Sequence, residues 1–332
     1  MTWGRKSRIA FAAAVTVVFG VALLRMDLGK SWRAVADVDW WPALGVVLVN
    51  FVNTWVEALR WKLVLSPVAR RVRTAKAFEA ILLGVLGNIA LPLKLGDGAR
   101  AYFLAKEERL DLAGSFSSVV LDRTVDVVSF LALLVATLLV FHYPSALKTA
   151  SYAPALILVL AIVVTVVAIW LGRRTSRAQD TFFFRKGKRL VKRLTGMLAT
   201  LRDPVLLIRL GALSALSWLM RLGMILLVFR AFHMSLPITA GVVFLVLVNI
   251  AIAVVNTPGN VGGFELTGVA ALKLYSVDTE TAVSCTITLH VLEVLPIAAL
   301  GLIMFWLSGF RFRDLPKRIP FSSDSQTPPE GR

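Results

Sequence analysis

The chain has 332 residues, 57% of them hydrophobic, and sets 37 Lys and Arg against 20 Asp and Glu for a formal net charge of +17. A mean hydropathy of +0.75 excludes an ordinary soluble domain and predicts an all-α polytopic membrane protein. The single cysteine, Cys285, excludes a disulfide framework and a thiolate metal cluster. The basic residues gather in short loops between apolar runs, which points to anionic phospholipid headgroups and not to nucleic acid.

In chain order, Arg5, Lys6 and Arg8 precede an apolar run at 9–24. No small-residue cleavage site follows it, so it reads as a retained signal anchor. Further windows of spanning length fall at 41–59, 116–141, 153–171, 205–229 and 282–307, which makes about six full transmembrane helices. Between 172 and 204 lies a basic connector in which Leu190, Leu194, Met197, Leu198 and Leu201 recur at helical spacing. That pattern predicts an amphipathic helix on the inner leaflet. Residues 1–318 form one transmembrane domain, and the polar tail 319–332 reads as disordered and cytoplasmic.

Two other apolar segments, 78–93 and 236–255, run into breaks. The second break holds Asn256, Pro258, Gly259, Asn260, Gly262, Gly263 and Glu265; the first holds Asn88, Pro92, Gly96, Asp97, Gly98 and Arg100. Non-helical backbone at membrane depth survives only when it is buried in protein or lines a wet cavity. Broken helices of this kind mark binding sites in transporters. With both termini inside and both broken segments re-entrant, inside segments hold 27 of the 37 Lys and Arg, among them a segment 60–76 that counts Arg60 as a loop residue. If both broken segments crossed instead, the ten-charge connector would lie outside.

The halves 41–141 and 205–307 read as two copies of span, re-entrant break and charged span. An offset near 168 sets the Arg123 and Asp126 pair opposite the His290 and Glu293 pair, each spaced i, i+3 on one helical face. Entry from opposite sides makes this an inverted-repeat architecture. Helical rise puts both pairs roughly 11–18 Å below their respective faces, close to the midplane of a core about 30 Å thick. An ionised group there costs about 2.5–3.5 kcal/mol on insertion scales, so Asp122, Arg123, Asp126, Glu265, His290 and Glu293 need partners or water. One reading is internal pairing of Arg123 with Asp122 or Asp126, which only fixes helix packing. The other is a polar midplane cavity: Arg100 and Arg123 contact an anionic head, and Asp97, Asp126, Glu265, His290 and Glu293 line the cavity and balance charge or bind a cationic group, histidine being the side-chain type whose unperturbed pKa is near neutrality. Asp97 and Glu265 can also simply cap the helices that follow the breaks. No phosphate-binding loop, H-E-x-x-H or G-x-S-x-G occurs, and the pattern calls for no cofactor and no metal.

The motifs Gly87-Asn88 with Leu91-Pro92, Gly96-Asp97-Gly98-Ala99-Arg100, Leu121-Asp122-Arg123 with Asp126, and Pro258-Gly259-Asn260-Val261-Gly262 with Glu265 resemble the flippase-like family named for the transmembrane domain of lysylphosphatidylglycerol synthase. The likeness covers nearly all of 10–310. It implies a protein of the bacterial inner membrane that translocates a polar or anionic lipid between leaflets. The cargo would be an anionic phospholipid, a modified phospholipid or a polyprenyl-linked lipid, with a lipid-biosynthesis enzyme as partner. Nothing in the chain corresponds to the separate synthase domain of bifunctional relatives, so no catalytic residue is assigned. Asp122 stands where that family more often has Glu, and His290 where an arginine is expected. Two other readings stay open: an intramembrane transferase acting on a lipid-linked head group or sugar, with Asp122 and Asp126 as acid and base, and a non-transporting subunit of a lipid or glycan pathway.

Overall fold

The computed structural model describes residues 37–66, 69, 71–90, 96–140, 203–254 and 257–308. Among them are eight α-helices and no strand: α1 (Trp40–Leu65), α2 (Thr74–Ala90), α3 (Gly96–Glu107), α4 (Leu112–Val140), α5 (Pro204–Ala231), α6 (Ile238–Val254), α7 (Gly263–Lys273) and α8 (Thr279–Ser308). The expected spans 9–24 and 153–171, the amphipathic segment 190–201, the tail and Asn256 lie outside the described residues. The order long, short, short, long occurs twice, with 26, 17, 12 and 29 residues and then 28, 17, 11 and 30.

Aspartate starts every long helix. Asp39 Oδ1 accepts from Trp41 N and Asp203 Oδ1 from Val205 N, while Asp111 and Asp278 accept from Gly114 N and Thr281 N. Each side chain satisfies a donor that the first turn leaves without an intrahelical partner. The short helices follow from the breaks. Gly259 (φ 63°), Asn260 (φ 60°) and Gly262 (φ 86°) are left-handed, a conformation that ends one helix before α7 begins. In the first break Asn88 Oδ1 accepts from Gly96 N at 2.9 Å, and a Cβ on Gly96 would lie 1.9 Å from the Gly84 carbonyl oxygen. Only glycine lets α3 start so close to α2.

Helices α1, α5 and α8 are long and apolar enough to cross a membrane; α4 has the length but carries Asp122, Arg123 and Asp126. At 1.5 Å per residue, α3 and α7 reach only about 16–18 Å, roughly half of the hydrocarbon thickness. Helix α1 runs antiparallel to α5: Asp39 N donates to Ala231 O, Gly45 lies against Leu227, Asn53 meets Ser217 and Arg60 reaches Ser214.

Two large apolar cores form among the described residues, and the long helices connect them. One core gathers Met224, Val228, Phe229, Phe244, Phe264 and Leu289 and takes in Val46 of α1 with Phe130 and Leu134 of α4. The other gathers Trp61, Leu65, Leu83, Phe103 and Leu104 and takes in Leu210 of α5, with Phe305 of α8 packed against it. Each long helix therefore has an end in each core, and between the cores runs its polar middle: Asn53 to Arg60, Asp122 to Asp126, Ser214 to Arg221, and His290 to Glu293.

Candidate functional site

The polar layer lies at the midpoint of four helices, each long enough to span about 40 Å. Five residues before the end of α1, Arg60 is 2% exposed and forks across two carboxylates, Nε to Asp122 at 3.1 Å and Nη1 to Asp126 at 2.9 Å. Arg100 of α3 takes the other oxygen of Asp122 at 3.1 Å and stacks over the Trp61 ring at 4.7 Å. Arg123 turns the opposite way. Its Nε and Nη2 grip both oxygens of Asp97 at 3.1 and 2.8 Å, and its side chain is 48% exposed. A bidentate guanidinium–carboxylate pair fixes both orientation and charge.

Where α1 crosses α5, Arg221 Nη2 donates to Glu57 Oε1 at 2.5 Å. Asn53 Nδ2 donates to the same Glu57 oxygen, and Ser217 donates to Asn53 Oδ1 at 2.8 Å. Four guanidinium groups thus face four carboxylates: Arg60, Arg100, Arg123 and Arg221 against Glu57, Asp97, Asp122 and Asp126. Three buried donors of the layer, Arg100 Nε, Arg221 Nε and Trp218 Nε1, have no hydrogen-bond partner among the described residues. Orphaned donors of this kind mark where an oxygen-bearing ligand or water gains most.

The second break forms its own cluster. Glu265 Oε2 accepts from Gly262 N at 2.6 Å, closing the first turn of α7. Its Oε1 lies 2.5 Å from His290 Nδ1, and His290 Nε2 lies 3.0 Å from the Gly259 carbonyl. The Phe264 ring stacks on the imidazole at 4.4 Å. Glu293 sits one turn further along α8, where its carbonyl accepts from Asn50 of α1 at 2.6 Å. Pro296 cannot donate to the Leu292 carbonyl, which loosens that turn.

The structure sorts the predicted residues into three groups. Asp97, Arg100, Asp122, Arg123 and Asp126 come together; Gly259, Gly262, Glu265 and His290 come together, with Asn260 in the same turn and Glu293 beside it; Asn88 caps α3. Pro258 opens the 3₁₀ turn of the second break. Of the two expected pairings, Arg123 lies 4.0 Å from Asp126, whereas that with Asp122 is corrected: Arg60 and Arg100 occupy Asp122, and Arg123 reaches Asp97 on α3. The loop placement of Arg60 is corrected as well, since α1 continues to Leu65 and Arg60 is held by two carboxylates within it. Sequence reasoning missed Glu57, Arg60, Arg221, Asn53 and Ser217 as site residues. Counting from the capping aspartates would have found the crossing, because Asn53 and Glu57 stand 14 and 18 residues after Asp39, as Ser217 and Arg221 do after Asp203.

The sequence pattern of the lysylphosphatidylglycerol synthase TM region matches residues 8–301. The chain belongs to this family. A relative, a UPF0104 membrane protein of Methanothermobacter thermautotrophicus, is 23% identical over 317 residues, covering 87% of this chain and 93% of its own. Another UPF0104 membrane protein, from Methanocaldococcus jannaschii, is 25% identical over 228 residues, 66% of this chain and 93% of its own. Glycosyltransferase AglD of Haloferax volcanii is similar over 40% of this chain and 22% of its own length, at 25% identity. No solved structure matches. As a member of the lysylphosphatidylglycerol synthase TM region family, the chain is an all-α membrane protein, and its polar layer is the feature that membership alone does not account for.

Proposed function

We propose that the protein passes a lipid with an anionic head between the leaflets of the cytoplasmic membrane, its termini on the cytoplasmic side. One observation carries this reading: at mid-length of the helices, Arg123 is half exposed and is held by Asp97, a residue in the first turn of the short helix behind a break. A lipid phosphate offers the guanidinium fork the same oxygen geometry as the Asp97 carboxylate. It replaces Asp97 on Arg123 while Arg60 and Arg100 keep the buried carboxylates neutralised. The head group crosses at the polar layer and the acyl chains stay in the bilayer. Asp126, 20% exposed and 4.0 Å from Arg123, sets the far side of the contact.

The test is leaflet exchange of fluorescent lipids in sealed vesicles containing the purified protein. An anionic phospholipid, a zwitterionic one and a polyprenyl phosphate are compared. Exchange that is selective for a phosphate-bearing anionic head and lost in Arg123→Ala supports the reading; equal exchange of all three by that variant overturns it. The likeness to a relative named a glycosyltransferase favours a second reading, a membrane subunit that presents a lipid-linked sugar to a transferase. Product formation without leaflet exchange, on adding a sugar donor and a partner enzyme, would select it.

A further inference from the structure

His290 faces two oxygens, and that arrangement sets a proton count. The Gly259 carbonyl only accepts hydrogen bonds, and so does an ionised Glu265 carboxylate. A neutral imidazole donates a single hydrogen, yet both ring nitrogens lie within hydrogen-bond distance of an acceptor, at 3.0 and 2.5 Å. Either the ring is an imidazolium between a carbonyl and a carboxylate, or Glu265 is protonated and donates to Nδ1 while Nε2–H donates to Gly259. Both descriptions contain the same number of protons, one more than a neutral imidazole and a carboxylate hold together.

We infer that the Glu265–His290 pair is a proton-binding latch on the second break, so that opening of the turn at 257–262 requires proton release. When the proton leaves, the carboxylate retains the remaining N–H, because a charge-assisted bond outcompetes a bond to a neutral carbonyl. The Nε2 lone pair then confronts the Gly259 oxygen, and the left-handed turn at Gly259 and Asn260 loses its tie to α8. Its link to α7 is Gly262 N with Glu265, while Phe264 of α7 stacks on the His290 ring of α8. Among the described residues the charged groups facing the pair are Glu293 on α8 and, beyond it, Arg221 of α5; Asn50 of α1 bonds to the Glu293 carbonyl, and α2, packed against the turn, carries no charged residue after Glu79. In the equivalent place of the first half, Arg123 with Asp97 cannot release a proton near neutrality. The latch therefore acts on one break only. What it gates rests on the lipid-passage reading; its own existence does not.

The test is amide hydrogen exchange of the segment 257–262 in the full chain, from about pH 5 to about pH 8, the interval in which histidine titrates. Rates are corrected for the intrinsic effect of pH on exchange. His290→Arg supplies donors to both oxygens at every pH, and Glu265→Gln donates to Nδ1 while still accepting from Gly262. The wild type should open about tenfold more readily at the upper end, the factor expected for losing one hydrogen bond to a charged group, and both variants should stay closed throughout. A flat wild-type profile, or the same slope in His290→Arg, overturns the latch. Wild-type opening that follows pH in vesicles where no lipid moves keeps the latch and removes the lipid-passage reading. Lipid exchange by the wild type that ignores pH, with exchange of the turn also flat, keeps that reading and removes the latch.

Discussion

Arg60 of α1 and Arg123 of α4 illustrate how burial decides what a charge is for. Arg60 is enclosed and holds two carboxylates, so removing it leaves buried negative charge without a partner. Arg60→Met should cost about 3–5 kcal/mol, the usual penalty for breaking a buried pair, read as a lower midpoint in denaturant unfolding of the purified protein. Arg123 is half exposed, and Arg123→Ala should cost less stability than Arg60→Met while abolishing anionic lipid exchange. A variant that loses stability and exchange in proportion would make Arg123 a packing residue. The sequence exposed Arg123 to inspection because Asp122, Arg123 and Asp126 interrupt an apolar run. It hid Arg60, which stands beside a basic loop and looks like part of it until the tertiary partners are known.

Among the elements, the breaks were the most readable, since proline, glycine and asparagine at membrane depth have few roles compatible with hydrogen-bonded backbone. Spacing does not reveal how tightly the pieces approach. A Cβ at Gly96 would lie 1.9 Å from the Gly84 oxygen, whereas a Cβ at Gly98 meets nothing within 4 Å. Gly96→Ala should therefore displace α3 from α2 and lower stability by more than about 3 kcal/mol, among the larger effects of single substitutions. Gly98→Ala, inside the same helix, should be neutral or stabilising by up to about 1 kcal/mol, the difference in helix propensity. Parallel thermal unfolding of the two variants checks both. If they behave alike, the close approach of α2 and α3 is wrong. The length of α6, 17 residues, shows why periodicity left its course unsettled: it sits at the lower limit for a full span.

For the molecule as a whole, the polar layer between two apolar cores determines which motions are cheap. Helices α1 and α5 cross at Asn53 and Ser217, whose side chains are 2.8 Å apart, and a crossing point moves least when two halves rock about it. A disulfide formed by Asn53→Cys with Ser217→Cys should therefore leave lipid exchange within about twofold of the reduced protein, because a link at the pivot does not oppose rocking of the repeats. The native Cys285 is buried and should not compete. The link is detected as one band after protease cleavage within the connector, and complete loss of exchange on oxidation would show that α1 and α5 must slide. The twofold order of helices was legible from the charged pairs, but a single offset does not hold along both halves, since the caps of α1 and α5 stand 164 residues apart and those of α4 and α8 stand 167 apart.

The crossing of α1 and α5 also bears on inheritance. Glu57 and Arg221 occupy the same step of their helices, one acidic and one basic. Two copies of the first half would set Glu57 against Glu57, and two copies of the second would set Arg221 against Arg221, like charges that cost several kcal/mol where water is scarce. Neither half can stand in for the other. A gene fragment encoding either one produces a polypeptide whose only fitting partner is the half that was lost.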